Sequence, residues 1–425
     1  MIRNQTGRKS ELGRLPEPSF LLLLLISFVF FATPVWEFWK ARSLEEFSTD
    51  PGFFAWLSLM YQSGGWLLSL GSLAAGLLVF LLSFRWRRTR IWTLFPLTVL
   101  ASCLILTLRP AFEGFVGASP VDLSSRNRPS SNTIRILHAN IYRFNDARGL
   151  NELIHTIEKM DPDIVVLHEL EKEHLELPVW RGSPDDGRSR DAASSTDGPT
   201  FPYPYRIINT EHPYFGYGVF SRYPLRNARQ VSTRLEALVS VDVGCVSPAM
   251  AHGENSGIRA ACTKGGSDRP LFRLISSHPV APFNTRILGV HHRALNNLVE
   301  EIERSDFPPD KDGKLADEGL LATPILVTGD FNSVDWSSDM LRLHRRTELH
   351  RLRPSGFLDF FRRGTFPSHW PSLLRIPIDG FYISRGLKPL AYSIIRISGS
   401  DHMGLIMDFE VRDSGAEEEG ESERR

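Results

Sequence analysis

The segment Thr323-Pro-Ile-Leu-Val-Thr-Gly-Asp-Phe-Asn-Ser333 decides the fold. Its apolar run at 325–328 predicts a buried strand. After Gly329 the chain presents Asp330 and Asn332, one residue apart, so both side chains leave the strand end on the same side. Taken alone, an Asx-rich turn closing a strand explains the pattern as well as a site does. The pattern recurs, however. Asn140 follows the run 134–139, Glu169 follows 164–168, His278 follows 272–277, Asp379 follows 375–378, and Asp401 and His402 precede the last apolar strand. Strand after strand that delivers a carboxylate, an amide or an imidazole at its end describes a site.

A chain of 425 residues that is 42% hydrophobic can bury a large core, and its 49 basic and 49 acidic side chains cancel. A net charge of zero gives no electrostatic reason for avid nucleic-acid binding. The long uncharged runs concentrate in residues 1–110, which are expected to form a membrane anchor of about three helices: 20–36, 66–84 within the charge-free stretch 51–84, and 91–108. A cleaved leader would mimic the first run, but two more follow it at once. Arg3, Arg8, Lys9 and Arg14 in the tail, and Arg85-Trp-Arg-Arg-Thr-Arg90 between the second and third runs, predict cytoplasmic placement of those segments. A multi-pass inner or plasma membrane protein with an extracytoplasmic catalytic domain is the resulting expectation. Of the 3 cysteines, Cys245 and Cys262 fall in the exported part, where one disulfide and two buried thiols are equally compatible readings.

Residues 111–132, rich in Ser, Pro, Gly and Arg, read as a tether; 133–412 form the catalytic domain, and 413–425 a solvated, mostly acidic tail. Within the domain, strands are expected at 134–139, 164–167, 203–208, 216–221, 238–243, 271–276, 357–361, 378–383, 391–397 and 405–411. Helices are expected over 150–160, over 286–304 and from 339, and Glu171 to His174 reads as a solvated helix start. The segment 182–199 and the Gly- and Ser-rich segment 247–268 read as insertions. Several strand-to-strand steps are too short for a crossover helix, so the sheets should be mixed or antiparallel and covered by helices.

Asn140, Glu169, Asp330, Asn332 and Asp401 are hard oxygen donors, which suit Mg²⁺ or Mn²⁺. No cysteine and histidine spacing suggests zinc. Asp379 and His402 offer a carboxylate to orient an imidazole that activates water, and with a hard cation they describe phosphate-ester hydrolysis.

The segments His138-Ala-Asn140, Val166-Leu-His-Glu169, Tyr217-Gly-Val-Phe-Ser-Arg-Tyr-Pro224, Ser277-His278-Pro279, Gly329-Asp-Phe-Asn332, Pro377-Ile-Asp379 and Ser400-Asp-His402 stand in the order found in the endonuclease/exonuclease/phosphatase superfamily. Over residues 133–411 the chain resembles its DNase I-like members, and with its N-terminal runs it resembles the membrane-anchored bacterial type. The resemblance implies a four-layer α/β sandwich, two mixed and largely antiparallel sheets flanked by helices, with the site at one rim. It implies metal ligation by Glu169, Asn140 and Asp401. It implies phosphate contacts from Asn332 and His278, an acid/base pair in His402 and Asp379, and a water-positioning or base role for Asp330; whether Asp330 or His402 is the base stays open. The implied substrate is a phosphoester, whether nucleic acid, phospholipid headgroup or small molecule. A catalytically inactive scaffold on the same fold is the alternative. Gly380 departs from the family pattern, and no residue that orients His278 is evident, Glu211 being the nearest guess.

Overall fold

The computed structural model describes residues 133–177, 203–212, 214–245, 270–306, 323–334, 337–352 and 364–412. The expected spans, the tether, the tail, both insertions and the strand at 357–361 lie outside these residues. Among the described residues no helix is long and apolar enough to cross a membrane.

The elements run β1 (Ile134–Asn140), α1 (Ala147–Met160), β2 (Ile164–His168), α2 (Lys172–Leu175), β3 (Tyr205–Asn209), β4 (Tyr217–Ser221), β5 (Leu225–Thr233), β6 (Glu236–Val243), β7 (Phe272–Pro279), α3 (Thr285–Asp306), β8 (Ile325–Asp330), α4 (Ser338–Thr347), β9 (His350–Arg351), β10 (Asp379–Ile383), β11 (Leu387–Arg396) and β12 (Met403–Val411). They build two six-stranded sheets, one ordered β11-β12-β1-β2-β4-β3 and the other β5-β6-β7-β8-β10-β9. In each sheet one central pair is parallel, β1 with β2 and β7 with β8, and the other pairings are antiparallel. Each parallel pair is bridged by a helix, α1 or α3, because parallel neighbours need a long crossover. The two pairs therefore send their C-terminal ends to the same rim.

The core divides into three apolar layers, which shows the layering directly. One fills the space between the sheets, with Ile136, Val166, Phe272, Leu274, Phe381 and Phe409. A second packs α1 through Leu150, Leu153, Ile154 and Ile157 on the outer face of the first sheet. The third packs α3 and α4 on the second sheet through Leu295, Leu298, Ile302, Met340 and Leu343. Period-2 alternation is plain in β1, where Ile134 and Ile136 face the other sheet while Leu137 and Ala139 face α1. Asp146 caps α1, accepting from the Gly149 N–H at 2.8 Å, and Asp161 ends it in the left-handed region at φ 50°.

Two strands are not anticipated in the sequence, and one local expectation is corrected. The sheet edge β5 was not legible, because most of its residues are exposed on both faces and carry no apolar alternation. The two-residue β9 is too short for any pattern. Glu171 to His174 does start a helix, but His174 is buried, its Nδ1 accepting from the Glu171 N–H at 3.1 Å and closing a capping box. Cys245 is disulfide-bonded. Its partner, Cys103 or Cys262, lies outside the described residues.

Candidate active site at the rim of the sandwich

The chain bends sharply where its chemistry is placed. Glu169 and Asn332, each just past a strand end, hold positive φ values of 58° and 48°, a conformation that costs non-glycine residues of the order of 1–3 kcal/mol and concentrates at functional sites. Gly329 is required by close approach: a Cβ there would sit 1.9 Å from the Ser277 carbonyl oxygen, so only glycine lets β7 and β8 align Asp330 beside His278.

The amide of Asn140 donates to Glu169 Oε1 at 2.9 Å and to Asp330 Oδ2 at 3.1 Å, and so links the two sheets. Its carbonyl oxygen accepts from the Tyr142 N–H at 3.0 Å. Glu169 Oε2 accepts from the Arg143 N–H at 2.9 Å. Asp330 and Asp379 face each other across the β8–β10 ladder. Asp379 Oδ2 holds His402 Nδ1 at 2.9 Å, which turns His402 Nε2 toward Asp330 Oδ2 at 3.6 Å. His278 Nε2 approaches the same Asp330 oxygen from the other side, also at 3.6 Å. These two contacts are too long for good hydrogen bonds, and the one from His402 acts as a charge attraction.

The loop after β11 is fixed by hydroxyls. Ser400 donates to the Asn140 carbonyl at 2.7 Å and accepts from the His402 N–H at 2.9 Å, while Ser368 donates to the Ser400 carbonyl at 2.6 Å. Asn332 uses its amide as a brace, donating to the Pro279 carbonyl at 3.0 Å, and its N–H binds Asp330 Oδ1 at 3.0 Å.

Burial sets the electrostatics. Burial raises the Asp330 carboxyl and the Asp379 charge adds to it, against His402, His278 and the Asn332 N–H; the result is a pKa of about 6. Asp379 goes the other way, since His402, by charge and hydrogen bond, outweighs the cost of burial and holds the carboxyl below its ordinary value. For His402 burial disfavours the charged ring, but Asp379, Asp330 and Asp401 outweigh it and push the pKa up to about 10. Asp401 is raised by burial first and by Glu169, against His402. Like carboxylates thus divide into one that is readily protonated and one locked to a histidine.

The structure brings Asn140, Glu169, His278, Asp330, Asp379 and His402 into direct contact, with Asp401 in their electrostatic field and Asn332 behind Asp330. Glu169, Asp330, Asp379 and Asp401 put four carboxylates around one charged histidine, and buried Asp379 Oδ1 has no hydrogen-bond partner among the described residues. Surplus negative charge and hard oxygen donors fit a divalent cation such as Mg²⁺. Asp330, Asp379 and His402 are the tightest grouping of potential ligand atoms, all within 4.8 Å of one another. His402 is clasped by Asp379, however, and a charged imidazolium is no ligand; Glu169 and Asp401 are not hydrogen-bonded to that ring.

The sequence reading missed the floor beneath the site. His138 and His168 lie on the inward faces of β1 and β2; His138 Nε2 approaches His168 Nδ1 at 3.4 Å, and His168 Nε2 meets the Ser276 hydroxyl at 2.7 Å. The His168 ring stacks on that of His278 at 5.1 Å and 5°, and Phe215 tilts against His278 at 5.0 Å. Stacking on His168 holds the His278 ring, whose buried Nδ1 has no hydrogen-bond partner among the described residues; Glu211 is exposed and does not orient it. Burial keeps both floor histidines neutral, His138 falling to about 4 and His168 well below its ordinary value. The spacing of His138 two residues before Asn140 on one strand face was the signal available.

Residues 137–402, well over half of the chain, match the model of the Endonuclease/Exonuclease/phosphatase family. A search of curated proteins finds no match. Among solved structures, the chain is similar to TDP2 from D. rerio in complex with a single-strand DNA product, at 13% identity, covering 66% of this chain and 99% of that one with a TM-score of 0.45. It is similar to the catalytic domain of human nocturnin, at 14% identity, covering 67% and 96% with a TM-score of 0.42. It is also similar to an endonuclease/exonuclease/phosphatase protein from Beutenbergia cavernae, at 14% identity, covering 66% and 72% with a TM-score of 0.40. Scores this low add nothing to the family match.

Proposed function

The chain belongs to the endonuclease/exonuclease/phosphatase family, whose members are generally phosphoester hydrolases, and from that membership we propose that it is a membrane-anchored, Mg²⁺-dependent phosphoester hydrolase. The observation that supports this most is the crowding of Asp330 Oδ2, which faces His278 and His402 at 3.6 Å each and Asn140 at 3.1 Å inside a surplus of carboxylates. An inactive scaffold would have lost a member of this set; none is missing.

Glu169, with Asp401 and Asn140, would hold the cation, which when bound neutralises and polarises a phosphate oxygen. With its pKa at about 6, Asp330 is poised to take a proton from the attacking water near neutral pH. His402 stays protonated up to about pH 10 on Asp379, so it serves as a fixed positive charge for the phosphoryl group and gives its proton to the departing oxygen. Water oxygen bonds to phosphorus as the ester P–O bond breaks; one proton goes to Asp330 and one leaves His402. His278 adds a second imidazole to the phosphate. Asp330 is therefore the preferred base.

Turnover of bis(p-nitrophenyl) phosphate, phosphomonoesters, DNA and phospholipids by the full chain, with Mg²⁺ and with EDTA, tests the reading. Activity that survives EDTA excludes the metal, and failure on every class with Mg²⁺ present returns the scaffold reading. The disulfide at Cys245 supports placement of the domain in an oxidising, extracytoplasmic compartment. Reporter fusions after Ser131 that read as cytoplasmic would overturn that placement.

A further inference from the structure

The described residues include six large hydrophobic side chains that are exposed: Phe144, Ile208, Tyr214, Leu235, Phe283 and Trp370. All six lie at the end of the sandwich where the site opens. Phe144 is four residues past Asn140, and Tyr214 lies in the β3–β4 connection beside the His168–Tyr217 pair. Ile208 is in the second-last pair of β3 with β4 at that same end. Leu235 is in the hairpin turn next to the Glu236–Pro279 pair, its carbonyl accepting from the Val280 N–H at 3.0 Å. Phe283 follows β7, and Trp370 is two residues past Ser368, whose N–H binds the Asp401 carbonyl at 2.7 Å. The opposite end shows none among the described residues.

Exposed apolar side chains gathered around one site mark interaction surfaces. From this placement we propose that the rim around the site docks onto the surface of a lipid bilayer, with these side chains entering the headgroup layer. Three features select a bilayer over other occupants. First, the residues come from the loops and strand ends of both sheets all around the site, which suits a fluid surface better than a partner of fixed shape. Second, Phe, Tyr and Trp with Leu and Ile are the side chains that settle at a membrane interface, whereas aliphatic ones do not stack on nucleic-acid bases. Third, the charge-free runs of residues 1–110 precede the domain by only residues 111–132, a reach of roughly 75 Å when extended. That reach exceeds the ~23 Å length of β1 several-fold, so the far end of the domain can turn to the membrane. Charge adds little, since exposed Arg234 and Arg286 share this end with exposed Glu173 and Glu211. Arg143 instead extends the apolar surface, its guanidinium 3.5 Å above the Tyr214 ring and 4.7 Å from that of Phe144.

The proposal goes beyond hydrolysis and is tested without turnover. In the full chain carrying Glu169→Gln, with its native cysteines kept, an environment-sensitive fluorescent amino acid replaces Phe283 by amber suppression. The control carries it at position 388 at the opposite end, where Lys388 pairs with Glu410 near the start of β1. In phosphatidylcholine–phosphatidylglycerol vesicles, emission from position 283 should shift to the blue and be quenched by quencher-bearing lipid, with position 388 unchanged. Adding Phe144→Ser, Tyr214→Ser and Trp370→Ser should reduce the response at 283 several-fold. An aqueous signal at 283, an equal response at both positions, or a response at 283 to single-stranded oligonucleotide and not to vesicles would each overturn the proposal.

Discussion

Two buried clusters of histidine and aspartate lie in this domain, and they behave in opposite ways. One is the rim group of Asp330, Asp379 and His402, with Glu169 and Asp401 beside it. The other joins α3 to α4: His292 meets Asp339 at 3.2 Å, His291 stands at 3.8 Å from it, and Arg342 at 3.4 Å. Burial opposes the Asp339 charge too, but His292, His291 and Arg342 outweigh it and hold the carboxyl down at about 2. Here one carboxylate faces Arg342 and two imidazoles, of which His291 is held at about 4 by burial; at the rim carboxylates crowd together, and Asp330 rises to about 6. The α3–α4 cluster is a clasp. It braces the rim from behind, since His291 binds the Val280 carbonyl at 2.8 Å and the Ser333 hydroxyl at 3.1 Å, one on each loop that leaves β7 and β8. The same residue types thus make a support or a reaction centre according to local charge balance, which sequence position alone does not express.

The strongest attempt to break this contrast compares His402→Ala with His292→Ala. The first should lower turnover by about 10²–10⁴-fold with Mn²⁺ affinity nearly intact, while the second should lower the melting temperature and change turnover little. Equal rate losses would erase the distinction. Glu169→Gln should reduce turnover and recover part of it with raised Mg²⁺ or with Mn²⁺, as measured by metal titration of the rate; Asp339→Asn should show no metal rescue.

Stability sharpens the comparison further. Asp339→Ala removes one member of a buried set of opposite charges and should cost about 3–5 kcal/mol in urea unfolding. Asp330→Asn, measured in EDTA, should leave stability unchanged or higher, because it relieves carboxylate crowding.

The two carboxylates should also give opposite pH slopes. Asp339, with a folded value of about 2 against an ordinary 3.8, binds its proton more readily unfolded, so it contributes stability above about pH 4 that is lost as pH falls through 2. Asp330, at about 6, holds its proton more tightly when folded, so stability in EDTA should fall as pH rises from about 4 to 6. Urea melts of the parent against D339N and D330N read each slope by its disappearance. The smallest effect is expected from His168→Ala, roughly tenfold on kcat with KM unchanged, since it frees the His278 ring without touching substrate. A change confined to KM would show that the stacked ring does something else.

Local chemistry made much of this legible in the amino-acid sequence. Strand cores announce themselves by β-branched apolar runs, and the polar residues at their ends follow directly, so Asn140, Glu169, His278, Asp330, Asn332, Asp379, Asp401 and His402 were visible one strand at a time. The likeness of seven short motifs in order supplied the two-sheet architecture that the family match over residues 137–402 supports. The tertiary structure decided what depends on residues far apart in the chain. Asn140 meets Asp330 across a separation of 190 residues, and His168 meets Ser276 across 108. Which carboxylate is protonated, which ring holds His278, and which His–Asp cluster is a clasp are set by burial and by neighbours brought in from the other sheet. A sequence lists those groups, but only their packing fixes the distances over which charges act.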